Sequence, residues 1–260
     1  MDIFGANCPN IHLLGVPFAL CTRLQLLEAV ETCITSNQKR LVLSGNVFSL
    51  NLAYRHDWLR NMFNSADLVR VDGAGLMLAA RLKGHKIPER VTWADFAWEL
   101  ASFAEQRGFT VFFLGGAPGV AEKAAERLQR KYPSLRVLEC HHGFFEKTLG
   151  SSDTENVVKR INAARPNILI VGFGMPAQER WLLENWARIE ASITFTGGGV
   201  FDYVSGRVRR PPRWMTNNGL EWMGRFIIEP RRLWRRYLIG NPLFLWRVVK
   251  ERVGWNGGKR

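Results

Sequence analysis

Cysteine is scarce in this sequence: four in 260 residues, Cys8, Cys21, Cys33 and Cys140. None stands in a C-x-x-C pair or at zinc-site spacing, so neither a disulfide framework nor a cysteine metal site is signalled, and a reduced cytoplasm is the expected compartment. Long apolar runs are missing too. No stretch approaches the ~18 to 20 apolar residues of a membrane span, and the N-terminus lacks the basic and apolar regions of a secretory signal. The chain is therefore expected neither to leave the cell nor to cross a bilayer. G-x-G-x-x-G, Walker A and H-E-x-x-H sequences are all absent, so the standard dinucleotide, P-loop and zinc-hydrolase signatures are not met. His141-His142 lacks the partners of a metal site, and neither metal nor cofactor is expected. No internal repeat or low-complexity segment interrupts the chain.

What is present is an ordinary globular composition, 47% hydrophobic and 23% charged, with a net charge of +13. The excess of base points to an anionic partner: nucleic acid, a phosphorylated ligand or a membrane surface. Its distribution is uneven. Residues 207–260 hold 14 Lys and Arg against 3 Asp and Glu, whereas residues 1–206 hold 22 against 20. Five of the ten tryptophans, Trp214, Trp222, Trp234, Trp246 and Trp255, fall in the same last fifth. Composition thus divides the chain into an α/β domain, 1–204, and a basic aromatic appendage, 205–260.

Short apolar runs alternate with segments of helical period from Ile11 to about Gly199. Strands are expected at Leu13–Val16, Arg40–Ser44, Leu68–Val71, Thr110–Leu114, Arg136–Cys140, Ile168–Gly172 and Ile193–Thr196, with helices at Arg23–Thr35, Ala94–Arg107, Val120–Lys131, Glu155–Ala164 and Pro176–Trp186. This alternation predicts an α/β fold, a mainly parallel Rossmann-like sheet flanked by helices. Pro230 and Pro242 are placed for the first turns of two short helices. Within Arg231–Ile239, Leu233, Trp234, Tyr237 and Leu238 form one face and arginines 231, 232, 235 and 236 the other, as suits an anionic membrane interface. Trp234, Tyr237, Phe244 and Trp246 are expected at the headgroup level.

Ligands of such sheets bind beyond the carboxyl ends of the strands, so the residues there carry the candidates. Gly115-Gly116-Ala117-Pro118-Gly119 joins a strand to a helix start whose free N–H groups suit an anion or a nucleotide edge; it is equally a tight turn that binds nothing. Asp72 follows a strand beside Gly73 and Gly75. It either caps the next helix or serves as a general base. Asp95 reads as a cap. Gln178 and Glu179 open a helix after Pro176, and Asp202 closes the glycine-rich strand end Thr196–Val200.

Together these segments resemble the WecG/TagA/CpsF family of bacterial glycosyltransferases from about residue 11 to residue 240. The shared elements are Ala66-Asp67, Val71-Asp72-Gly73, Phe113–Gly119, His142-Gly143-Phe144-Phe145, Gly172–Glu179, Arg210-Pro211, Gly219-Leu220-Glu221-Trp222, Arg225, Glu229-Pro230-Arg231 and Arg235. The resemblance implies inverting transfer of a sugar from a UDP-sugar to a saccharide on undecaprenyl diphosphate, without an essential metal. Asp72 matches the proposed base; Ser44, Asn46, Arg90, Gln178 and Asp202 match positions proposed to hold acceptor and donor; Arg225, Arg232 and Arg235 match tail arginines thought to fold over the diphosphate. Gly115, Gly116 and Phe144 join the substrate-binding candidates. Ser44-Gly45 stands where many members have Thr-Pro, and Trp93 where glycine is common, so the donor is open among N-acetylmannosamine, its uronic acid and glucose.

The expected partners are a UDP-sugar, a lipid-linked saccharide and an anionic membrane surface on the cytoplasmic side, with a homo-oligomer compatible and no nucleic acid. The competing reading is a non-catalytic nucleic-acid-binding α/β protein whose tail grips phosphates and stacks bases. Carboxylates at strand ends favour the enzyme, because phosphate binding alone does not call for them.

Overall fold

A computed structural model describes residues 8–217 and 219–253. In chain order the strands are β1 (Asn10–Leu13), β2 (Val16–Ala19), β3 (Arg40–Gly45), β4 (Leu68–Val71), β5 (Thr110–Gly115), β6 (Arg136–His141), β7 (Ile168–Gly172) and β8 (Ile193–Thr196). They form one sheet in the order β1-β2-β4-β3-β8-β7-β5-β6, parallel throughout except for the β1-β2 hairpin at one edge. The α/β expectation holds.

The helices are α1 (Arg23–Thr35), α2 (Val47–Ala53), α3 (Asp57–Ser65), α4 (Ala74–Leu82), α5 (Trp93–Arg107), α6 (Val120–Lys131), α7 (Ser152–Ala164), α8 (Ala177–Asn185) and α9 (Val200–Val204). They cover both faces, and the strands supply both with apolar side chains. On β5, Val111 and Phe113 join Leu26, Phe96, Leu100 and Leu128 of α1, α5 and α6, while Phe112 and Leu114 join Leu50, Phe63, Leu76 and Trp181 of α2, α3, α4 and α8. A strand buried on both faces reads as an unbroken apolar run, which is why the central strands are legible in the sequence.

Two local expectations change. The single strand at Leu13–Val16 is in fact a hairpin: Leu14 and Gly15 both take positive φ, +51° and +76°, and Leu13 pairs with Val16 across them. That pair of left-handed residues is what a two-residue hairpin turn demands. Helices α2 and α3 are not expected from the pattern, and α4 only as the helix that follows Asp72. The first begins inside an apolar run and is set by a capping box, in which the Asn46 carboxamide accepts from the Ser49 N–H at 3.1 Å and the Ser49 hydroxyl accepts from the Asn46 N–H at 2.7 Å.

Beyond β8 the chain forms α10 (Arg213–Asn217), α11 (Glu221–Ile228) and α12 (Pro230–Trp234), then a π turn, Arg235–Ile239, leading directly into α13 (Gly240–Arg252). Pro230 does occupy the first turn of its helix. Pro242 likewise stands in the first turn of α13, although that helix is longer than expected and runs on almost without a break from the π turn. α13 returns to the sheet domain, where Phe244 and Val248 enter the core beside Leu50 and Leu76 and Glu251 meets Lys83 at 3.1 Å. Among the described residues no helix is long and apolar enough to cross a membrane.

The aromatic face of the tail is split by this packing. Trp234 and Trp246 are 43% and 58% exposed, but Tyr237 is 8% and Phe244 0% exposed. The expected headgroup position of Tyr237 and Phe244 is therefore corrected: both rings serve the interior. Trp255 lies outside the described residues.

Candidate active site

The carboxyl ends of β3, β4, β5, β7 and β8 all open into one cavity of about 1170 Å³, roofed by α11, α12, the π turn and the start of α13. Its floor is glycine. Gly115 shows why: its φ is +152°, and a Cβ there would stand 2.3 Å from the carbonyl oxygen of Gly172. The two strand ends can approach this closely only without side chains, leaving backbone groups of Gly116, Gly172 and Gly197 on the cavity wall.

Asp72 lies at the end of β4, with its N–H donating to the Gly45 carbonyl at 2.8 Å and its side chain 26% exposed. The residue capping α4 is Gly73, at φ +112° and with no side-chain cap. The Asp72 carboxylate is therefore not a helix cap, and it lines the cavity. Behind it Arg70 is wholly buried, its Nη2 3.7 Å from Asp72 Oδ2. Burial pulls the Arg70 guanidinium below its ordinary value, and the Asp72 carboxylate works against that pull.

The other anticipated residues gather at the same edge in different roles. The Ser44 hydroxyl donates to the Thr196 carbonyl at 2.6 Å and accepts from the Trp93 indole at 3.2 Å. Asn46 caps α2 and is reached by Arg236 Nη2 at 3.4 Å. The Gln178 carboxamide oxygen accepts from Gly174 N–H at 3.2 Å and Gly198 N–H at 3.0 Å, tying two glycine turns together, while its nitrogen donates to Glu179 at 2.7 Å. Glu179 is fully buried, and burial pushes its carboxyl up to about 7. Asp202 pairs with Arg207 at 3.6 Å. Gly116 and the exposed Phe144 line the cavity, and Gly115 sits just behind it. Asp95, read as a cap, takes Arg210 on both oxygens, at 2.6 Å for Nη2, and accepts from the Thr92 hydroxyl at 3.1 Å.

From the tail, Arg225 reaches the cavity with its guanidinium 5.1 Å from the centre of the Tyr203 ring and 3.7 Å from Glu229. Burial pushes the Tyr203 phenol up. Arg235 stands outside, stacked on Trp234 at 5.1 Å, and the next residue, Arg236, lines the wall over Phe48. The side chain of Arg232 lies outside the described part of the structure. Among the described residues no three His, Cys, Asp or Glu side chains come together as a metal site.

A cavity at the strand ends, lined by Asp72 and Asp202 near the strand ends and by Arg90, Arg207, Arg225 and Arg236, suits a polar, phosphate-bearing ligand. The sequence profile of the glycosyl transferase WecG/TagA/CpsF family matches residues 11–257. The chain belongs to this family. Among its relatives are the N-acetylglucosaminyldiphosphoundecaprenol N-acetyl-beta-D-mannosaminyltransferases of Staphylococcus aureus strains NCTC 8325 / PS 47, COL and MRSA252, each 27% identical over 249 residues, 95% of either chain.

In this glycosyltransferase, the cavity residues not singled out from the sequence as site candidates include Arg236, Trp93, Tyr203 and Glu221. Arg236 falls on the arginine face expected at a membrane interface, and in the π turn it comes to line the cavity instead. Trp93 was noticed as unusual, yet nothing in the sequence shows that its indole donates to the Thr196 carbonyl at 2.8 Å across two strands. Glu221, 14% exposed at its side chain, finds Arg90 from another part of the chain, and burial pushes its carboxyl up against the pull of that arginine.

Proposed function

We propose that this glycosyltransferase moves a sugar from a UDP-sugar to a saccharide carried on undecaprenyl diphosphate, inverting the anomeric carbon and using no metal ion. The observation that carries the reading is Asp72: an uncapped, partly exposed carboxylate at a strand end, on the floor of a cavity roofed by tail arginines. Membership of the family and the acceptor named in the staphylococcal relatives support the lipid-linked saccharide.

The chemistry follows from the charges. A hydroxyl of the acceptor sugar gives its proton to Asp72 while its oxygen attacks the anomeric carbon from the face opposite UDP; the bond to the diphosphate breaks and UDP leaves with the electron pair. One displacement inverts the centre. UDP is already a good leaving group, so what remains is to stabilise the charge developing on the diphosphate. Guanidinium groups do this as planar, permanently charged donors; Arg225, which lines the cavity, is the first candidate and Arg232 a further one, whereas Arg235 stacks on Trp234 outside the cavity and is not assigned this task. Ser44, Asn46, Arg90, Gln178 and Asp202 shape the acceptor and donor pockets. Gly115 and Gly116, before the N-terminus of α6, and Phe144 at the lip complete the binding surface.

Residues 1–204 form the catalytic domain in this reading. Residues 205–260 are an appendage with two jobs, covering the site and docking on an anionic leaflet at the cytoplasmic face of the membrane, where each basic residue contributes about 1 kcal/mol.

The test is turnover of purified protein with UDP-N-acetylmannosamine, UDP-N-acetylmannosaminuronic acid and UDP-glucose on a lipid-linked N-acetylglucosamine acceptor, with the product anomer read by NMR. Asp72→Asn should cost ~10²- to 10⁴-fold in turnover, the usual worth of a positioned base, and leave UDP binding unchanged. Near-normal turnover in the folded variant removes Asp72 from the chemistry.

A further inference from the structure

We propose that Arg70 is a positioning residue for Asp72, a buried cation that holds the carboxylate aimed from behind the cavity floor. The inference rests on the reading of Asp72 as the base.

Arg70 lies on β4 two residues before Asp72, so the two side chains leave the sheet on the same side. Its guanidinium is 0% exposed and fixed on three sides. Nη1 donates to the Val91 carbonyl, and the plane packs against the rings of Trp93 and Phe96, 4.6 and 5.9 Å from their centres. On the fourth side Nη2 points to Asp72 Oδ2 at 3.7 Å, and neither Nε nor Nη2 has a hydrogen-bond partner among the described residues. A buried guanidinium with two unsatisfied nitrogens is costly to keep. The nearby Cys21 thiol cannot balance its charge, because burial pushes it up to about 12 and it stays neutral. Asp72 is the anion that remains.

The spacing bears on function. An ion pair built for stability closes to a direct, often bidentate contact. At 3.7 Å the carboxylate feels the charge of Arg70, yet its lone pairs are not tied up in a hydrogen bond to it. The same guanidinium stacks on Trp93, whose indole donates to Ser44, so one buried unit braces both Asp72 and the end of β3.

The experiment is a double-mutant cycle on the full chain, using whichever of the three UDP-sugars above turns over fastest. Arg70→Met should lower kcat about 10- to 100-fold, as expected for a misaimed catalytic group, with donor KM within about twofold. In the Asp72→Asn background the same change should alter kcat by less than about twofold, because the group through which it acts is gone. Arg70→Lys should recover part of the loss. An equal loss in both backgrounds, or none in either, overturns the proposal and leaves Arg70 a part of the fold. A normal kcat in Asp72→Asn alone instead overturns the reading of Asp72. If Arg70→Met does not fold, Arg70→Gln and Arg70→Lys run the same cycle with the same criteria.

Discussion

Nη1 of Arg90 lies 3.3 Å from Oε2 of Glu221, and Nη2 of the same guanidinium donates to the Thr216 carbonyl at 2.7 Å. One arginine from the sheet domain thus grips two elements of the tail at the wall of the cavity. Both side chains are largely buried, 17% and 14% exposed, so removing the carboxylate leaves a cation with poor access to water. Glu221→Ala should cost about 1 to 3 kcal/mol in urea unfolding, the usual penalty of a buried donor left without its partner, and it should expose the tail to limited proteolysis before the sheet domain unfolds. Unchanged cleavage kinetics would show that Arg90 and Glu221 do not hold the tail in place.

Among the described residues the basic side chains that line the cavity are arginines, Arg90, Arg207, Arg225 and Arg236. Since fixed guanidinium groups supply the charge a bound ion otherwise gives to a leaving diphosphate, transfer in excess EDTA should stay within about twofold of the untreated rate. Activity lost on chelation and restored by magnesium or manganese would assign that task to an ion.

Glu179 makes stability depend on pH. Its folded-state value of about 7 lies above the ordinary 4.5, owing to burial, so between those values the folded protein binds more protons than the unfolded chain. Stability is then fully present below about 4.5 and declines as pH rises through about 7. Glu179→Gln keeps an acceptor for Gln178 and removes the titration. Melting curves from pH 4.5 to 8 should lose this decline, worth at most about 3 kcal/mol. Parallel curves for the two proteins would mean Glu179 is not the titrating group.

The tail carries two kinds of aromatic residue, and substitution should separate them. Trp234→Ala with Trp246→Ala removes exposed rings and should weaken flotation with anionic liposomes while leaving turnover of a soluble acceptor largely intact. Phe244→Ala empties a core position and should cost about 3 to 5 kcal/mol of stability. Liposome binding that survives the double tryptophan change would place the lipid contact elsewhere.

The sequence by itself determined the α/β class, because strands buried on both faces must be apolar throughout and helices covering them must show one apolar stripe. It also brought Asp72, Gln178 and Asp202 to one edge, since a parallel sheet puts every carboxyl end on the same side. Local pattern could not show the hairpin at Leu14-Gly15 or helices α2 and α3, where turn and cap geometry outweigh periodicity. Nor could it assign the polar groups their partners. Gln178 ties the Gly174 turn to Gly198, Ser44 serves Thr196 and Trp93, and Arg70 is held by Val91, Trp93 and Phe96; each of these contacts joins segments distant in sequence. In the tail, the alternation of arginine pairs with apolar pairs suggested one cationic face and one apolar one, both turned to a membrane interface. Tertiary packing decided otherwise, turning Tyr237 and Phe244 inward and Arg236 toward the cavity, because a π turn shifts the helical phase and α13 gains more by filling the core than by leaving its rings in water.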